Sequence, residues 1–314
     1  MRLRLLGTAA GGGAPQWNCA CPQCVRLRIG GDGRTQDCVT VSGDGRTWHL
    51  LNASPDIRVQ LLAAPELAPR PPRVTPLTSV VLTDAELDHT LGLLSLREAG
   101  ELRIFATPAV LATFDTAFPV RALLGAYAPV VWQELGEQPI ELAGGLTVAA
   151  VPLGWKRPKY EQAAHADPAS VVALRLTDAA TGAVVVYAPC VAQWCAELDA
   201  ALAGAACLIL DGTFFAFDEM ARRAGAVAGR QAAMGHLPMQ ESLPHLARHP
   251  GLRVIYTHLN NTNPALSGDS AQAAQVRAAG AEIGADGQLL TFPGGPRQTG
   301  GAGDSTPTST EDAP

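Results

Sequence analysis

Residues 78–92 read TSVVLTDAELDHTLG. The apolar run at 79–82 has the length and β-branched content of a buried strand. Directly behind it stand Asp84, Glu86, Asp88 and His89, four polar groups in six positions. A strand that ends in charge turns outward into a site. If the chain stayed extended, Asp84, Glu86 and Asp88 would share one face. Three bare carboxylates there repel one another, and burial raises at least one pKa. A cation removes the conflict, because oxygen and imidazole ligands at this density make a metal site. The same letters also read as an acidic helix N-terminus, capped by Thr83 or Asp84 and favoured by the helix dipole.

The pattern of polar groups behind apolar runs recurs. LRVIY at 252–256 leads to His258 in YTHLNNTNP, CLIL at 207–210 leads to DGT with Asp211, and YAPC at 187–190 closes another run. MGH places His236 on a nearby loop. Asp211 alone also reads as an N-cap or turn residue. Further strands are expected at 3–6, 38–42, 48–51, 102–106, 146–152, 170–176, 184–188 and 288–292. Helices are expected at 55–64, 108–114, 191–202, 239–247 and 270–279. Strands come first and helices intersperse later, which predicts an α/β protein of sheet layers covered by helices. The repeated GDGRT at 31–35 and 43–47 supplies two tight turns bracketing one strand. The glycines at 11–13 precede no helix and form no dinucleotide fingerprint; they let backbone approach a site closely.

With 314 residues, 47% hydrophobic and 17% charged, the chain has material for one large core, expected over 1–296. The tail at 297–314 is rich in Gly, Ser, Thr and Pro and is expected to be disordered. A net charge of −6 offers no basic field to nucleic acid. No apolar run approaches the roughly 20 residues of a membrane span. The opening MRLRLLGTAAGGG has too short an apolar portion for a signal peptide, so it reads as a first strand and a glycine loop in a cytoplasmic protein. Seven cysteines, an odd number, argue against a disulfide framework. Cys38, Cys190, Cys195 and Cys207 read as small, partly buried thiols. In WNCACPQC, by contrast, Cys19, Cys21 and Cys24 converge if Pro22 turns the backbone, and three soft sulfurs suit a structural zinc ion. The fourth ligand has to come from far along the chain, with His236, His258 and Asn261 as candidates.

Taken together, these stretches resemble the metallo-β-lactamase superfamily, whose hallmark is a strand followed by HxHxDH. Here that segment reads DAELDH: the first two histidines are carboxylates, and Asp88 and His89 keep the final pair. The nearer resemblance is to the branch that serves pyrroloquinoline quinone (PQQ) biosynthesis. It is carried by GTAAGGGAPQWNCACPQC, LNASPDIR, DAELDHTLGLLSLRE, YAPC, LILDGT, MGH and HLNNTNP, spread over residues 7–264.

The resemblance implies an αββα sandwich of two packed sheets flanked by helices. It also implies that Asp88, His89 and His258 retain one metal position, while loss of two histidines removes the other. Cys190 stands where dinuclear members carry a bridging aspartate. Two imidazoles and one carboxylate are the facial set of non-haem Fe(II) oxygenases. The implied activity is therefore iron- and O2-dependent hydroxylation of the tyrosine ring in a Glu-Tyr-derived, small-molecule or dipeptide precursor of PQQ. Asp84 and Glu86 would order water or the substrate's amine or accept protons, and Asp211 with His236 would relay protons. The branch is equally regarded as a carrier of PQQ or a precursor towards the periplasm, for which Arg58, Arg222 or Arg230 would have to fold over the acidic pocket. A zinc hydrolase is the third reading, weakened by the absent histidines. His165 lies in a loosely aligned polar loop and is left out of the site.

Overall fold

The computed structural model describes residues 1–161, 167–219 and 234–293. The tail, His165, Arg222 and Arg230 lie outside the described residues. Two seven-stranded mixed sheets pack face to face with helices on their outer sides.

The two sheets repeat one plan. In the first, β1 (Arg2–Gly7), β2 (Cys38–Ser42) and β3 (Trp48–Leu51) run antiparallel, then β4 (Leu77–Val81), β5 (Leu102–Ala106) and β6 (Val130–Glu134) add in parallel to β3. In the second, β7 (Ile140–Leu142), β8 (Leu146–Gly154), β9 (Val171–Asp178) and β10 (Val184–Ala188) run antiparallel. Parallel β11 (Cys207–Asp211), β12 (Arg253–Thr257) and β13 (Ala281–Ile283) follow. A last strand, β14 (Leu289–Thr291), returns to pair with β1. The α-helices among the described residues are α1 (Pro22–Arg28), α2 (Ile57–Ala63), α3 (Leu87–Thr90), α4 (Pro108–Asp115), α5 (Val120–Gly125), α6 (Ala196–Ala201), α7 (Met239–Leu246) and α8 (Ala271–Ala278).

Alternation along the strands fills three apolar layers. Leu3, Leu5, Val81, Val148, Leu174, Ile209 and Ile255 meet between the sheets. Val80, Leu82 and Ile104 turn outward onto Ile57, Val110 and Phe114. Leu208, Leu210 and Tyr256 turn outward onto Leu198, Met239 and Val276. Strands buried on both faces read as continuous apolar runs, which is why 79–82 and 207–210 were legible. Because the inner strands of each sheet are parallel, their C-terminal ends lie at one edge. The pairings Leu51 with Val81 and Asp211 with Thr257 bring those ends level. Loops leaving such an edge are where α/β proteins build sites.

The two GDGRT turns do bracket β2, and the second is closed by Asp44, whose Oδ1 accepts the Arg46 and Thr47 amides at 2.8 and 2.7 Å. The expected helix at 191–202 is shorter. Cys195 is extended (φ −128°, ψ 167°) and the Val191 amide is taken by Asp211 Oδ2 at 2.9 Å, so the helix begins at Ala196. Five elements went unread: β6, a half-exposed edge strand; β7 and β13, each only three residues long; α5, a six-residue helix; and α1, which starts on Pro22 inside the cysteine cluster. No helix among the described residues is long and apolar enough to cross a membrane.

Candidate metal centre and its cavity

The opening stretch leaves β4 at Val81 and does not stay extended. Asn52 Oδ1 accepts the Thr83 amide at 3.0 Å, Asp84 Oδ1 accepts the Glu86 amide at 2.9 Å, and α3 begins at Leu87. Neither Thr83 nor Asp84 caps that helix; Glu86 occupies the cap position without a side-chain cap bond. The three carboxylates therefore do not share a face. Asp84 turns inward to His89, Glu86 pairs with Lys156 at 3.1 Å, and Asp88 reaches His258, with Oδ2 3.2 Å from Nε2. His258 follows β12 in a left-handed conformation (φ 56°), which costs a non-glycine residue on the order of 1 kcal/mol. The bend is fixed by the Leu259 amide donating to Thr8 O at 2.8 Å. Gly11 backs the site: a Cβ there would lie 3.0 Å from Asp88 Oδ2.

Asp88, His89 and His258 offer ligand atoms within 4.8 Å of one another. Hydrogen bonds behind them set the tautomers. His89 Nδ1 lies 2.8 and 2.9 Å from the two Asp84 oxygens, so it carries a proton, and Nε2 is the nitrogen left to bind an ion. The Thr213 hydroxyl donates to Asp211 Oδ1 at 2.7 Å and so accepts from His258 Nδ1 at 2.8 Å, which turns Nε2 towards Asp88, and the proton Nε2 gives that carboxylate is the one a metal ion would displace. His89 Nε2 is buried and meets no hydrogen-bond partner among the described residues. A buried, orphaned imidazole nitrogen beside a carboxylate and the Nε2 of a second imidazole fits a metal ion.

The charges agree. Burial works against ionisation, yet Asp84 and Asp88 push His89 up to about 10. Burial likewise opposes the Asp88 charge, and His89 and His258 hold it well below the usual carboxylate range. Groups this strongly coupled trade protons for a cation when one binds.

Asp211, His236 and His258 form a second close group. Its atoms, however, already bond one another: His236 Nδ1 lies 2.7 Å from Asp211 Oδ2, and Asp211 also accepts the Val191 and Thr213 amides. Burial lowers His236, so the ring is neutral with Nδ1–H on Asp211 and Nε2 as its free base. Asp211 stays ionised: burial raises it, but His236 and the amide donors outweigh that. The His236 and His258 rings stack at 5.2 Å.

Cys19, Cys21 and Cys24 converge as the spacing implied. Gln16 N lies 3.4 Å from Cys24 Sγ and Cys21 N lies 3.4 Å from Cys19 Sγ, donors suited to thiolates. Burial and its sulfur neighbours push Cys21 up to about 11, and a cation relieves that crowding. Of the three candidates for a fourth ligand, the Asn261 amide sits beside the cluster, 3.2 Å from Cys24 Sγ, while His236 and His258 belong to the other site.

A cavity of about 370 Å³ opens onto Asp88, His89 and His258. Glu86, His236, Cys190 and Thr213 also line it, and its rim carries Lys156, Arg157, Lys159 and Tyr160. Arg58 is exposed on α2 and lines no part of it. Burial pushes the Cys190 thiol well above its ordinary value, so it is neutral near pH 7. Burial also opposes the Lys156 charge, and the carboxylates of Glu86 and Asp84 hold it protonated. Sequence reasoning missed Thr213, Asn52, Lys156, Arg157 and Tyr160. Thr213 stood inside a quoted motif, but nothing in DGT says that its hydroxyl meets two histidines.

The β-lactamase superfamily domain model matches residues 47–259. Coenzyme PQQ synthesis protein B of Azoarcus sp. (strain BH72) is 40% identical over 308 residues, covering 93% of this chain and 100% of that protein. The protein of the same name from Cupriavidus necator is 41% identical over 307 residues, covering 92% and 99%. The 1.98 Å crystal structure of zinc-bound PqqB from Methylobacterium extorquens superposes with a TM-score of 0.85 at 35% identity, covering 93% of this chain and all of that one.

Proposed function

The chain belongs to the coenzyme PQQ synthesis protein B family of the β-lactamase superfamily, and from that premise we propose that it acts in PQQ biosynthesis as an Fe(II)- and dioxygen-dependent hydroxylase. Its substrate on this reading is the tyrosine ring of a Glu-Tyr-derived precursor. One observation carries the reading. The residues that can hold an ion in the cavity are one carboxylate and two imidazoles whose Nδ1 atoms are engaged and whose Nε2 atoms are left for it, Asp88, His89 and His258. The carboxylates standing for the absent histidines do not rebuild a second position: Asp84 is spent on His89 and Glu86 on Lys156. That favours a mononuclear centre over a two-ion hydrolase. Iron bound there supplies the redox chemistry with dioxygen that a tyrosine ring needs to gain oxygen.

The chain's own residues do the rest. Asp84 and Thr213 are positioning residues that aim the two imidazoles. Asp211 holds His236 in the tautomer whose Nε2 can take the proton of a substrate hydroxyl. Glu86, at the cavity edge beside Lys156, offers an acceptor to a substrate amine. The Cys19, Cys21 and Cys24 cluster holds a structural zinc ion on this account and pins the loop before α1 to the 258–264 segment through Asn261. The reading is tested by oxygen uptake of anaerobically iron-loaded protein given a tyrosine-containing dipeptide. Uptake in wild type and none in His89→Ala is expected; no uptake in either sinks it.

The cationic rim of Lys156, Arg157 and Lys159 favours a second reading, a carrier of PQQ or its precursor, because an acidic quinone needs such partners. Equal ligand binding by wild type and an Asp88→Ala variant stripped of its ion, without turnover, would select it.

A further inference from the structure

The segment 156–160, KRPKY, reaches over the cavity from the end of β8. Its three cations are not equivalent. Lys156 is committed to Glu86 at 3.1 Å. Lys159 is exposed and makes no ion pair among the described residues. Arg157 is the odd one: its Nη1 is shielded from solvent and meets no acceptor among the described residues. A buried guanidinium N–H without an acceptor is costly, and in a ligand cavity the missing acceptor is one that a ligand brings. The planar fork of arginine matches a carboxylate with two parallel hydrogen bonds.

Three kinds of group line the cavity: Asp88 with the two imidazoles, apolar surface from Leu87 and Met234, and the cations of 156–159. The Tyr160 hydroxyl donates to Ala85 O, which fixes the segment against the turn that carries Glu86. A ligand that satisfies all three combines an aromatic ring with an anionic group. About 370 Å³ accommodates one small aromatic molecule of that kind.

We propose that Arg157, with Lys159 beside it, is a carboxylate seat that takes the acid group of an aromatic, amino-acid-derived ligand and directs its ring towards Asp88, His89 and His258. The proposal rests on the cavity being the substrate site named above, and it assigns these residues to binding alone.

Calorimetric titration of the zinc-loaded full chain with L-glutamyl-L-tyrosine and with its diamide, which keeps the amine and lacks both carboxylates, tests the seat without any turnover. Wild type is expected to bind the acid about tenfold or more tighter than the diamide. Arg157→Gln is expected to lose that preference, Arg157→Lys to keep part of it, and the off-cavity control Arg58→Gln to keep all of it. Full preference in Arg157→Gln, or no preference in wild type, overturns the seat. Oxygen uptake by iron-loaded protein reports on the hydroxylase separately. A preference lost in Arg157→Gln with no oxygen uptake keeps the seat and sinks the hydroxylase; uptake with the preference unchanged does the reverse.

Discussion

Thr213→Val isolates the tautomer argument. Valine keeps the shape of threonine and removes one hydroxyl that lies 2.7 Å from Asp211 Oδ1, 2.8 Å from His258 Nδ1 and 3.1 Å from His236 Nδ1. Asp211 Oδ1 retains the Thr213 amide at 2.9 Å, and His236 Nδ1 retains Asp211 Oδ2 at 2.7 Å. Only His258 Nδ1 is left without its acceptor, in a buried setting where an unmet donor costs ~1–3 kcal/mol. With nothing to accept the Nδ1 proton, the ring is no longer held with Nε2 towards the ion position. Removing such an outer partner of a metal-bound histidine lowers metal affinity by roughly 10–100-fold, or ~1.4–2.7 kcal/mol. Competition against a chromophoric chelator, with Fe(II) under nitrogen and again with Zn(II), measures the loss for both ions. Thr213→Ser keeps the hydroxyl and is expected to stay within about threefold of wild type. Wild-type affinity in Thr213→Val would refute the claim that this hydroxyl orients His258.

Other consequences are separable. Cys24→Ser is expected to remove one zinc equivalent per chain, measured by plasma emission, while leaving the chelator-competed ion at the cavity in place. Ile209→Ala, between the sheets, is expected to cost ~2–5 kcal/mol in urea unfolding with metal stoichiometry unchanged. Desolvation opposes the charge, but the hydrogen bonds from the Thr47 and Arg46 amides and the Thr47 and Ser42 hydroxyls together hold Asp44 to about 2. A folded pKa below the unfolded one stabilises above the unfolded value and is lost as pH falls through the folded one. The stability gap between wild type and Asp44→Asn should thus be full at pH 7 and close between roughly pH 4 and pH 2 in urea midpoints.

What could be read from the letters follows from burial. Strands packed on both faces, such as β11 and β12, are unbroken apolar runs, and the polar residue that ends each is forced to the sheet edge. That made Asp211, His258 and the 84–89 stretch visible as one site before any coordinates. The αββα arrangement came from resemblance as much as from pattern. What stayed hidden is contact between distant letters. Asp84 looked like a site carboxylate, yet its oxygens lie behind His89, because the chain bends at 84–86 instead of extending. Lys156 and Arg157 sit in a polar stretch whose spacing resembles any solvated loop, and only the fold brings them over the cavity. The edge strand β6 was missed because half of it faces solvent and its pattern is diluted.

A crystal grown anaerobically with Fe(II), with anomalous scattering collected at the iron and zinc edges, tests the central claim most directly. The account predicts one iron peak bounded by Asp88, His89 Nε2 and His258 Nε2, and one zinc peak at Cys19, Cys21 and Cys24. Iron seated instead among Asp211, His236 and His258, two ions at the cavity floor, or no peak beside His89 Nε2 would contradict it.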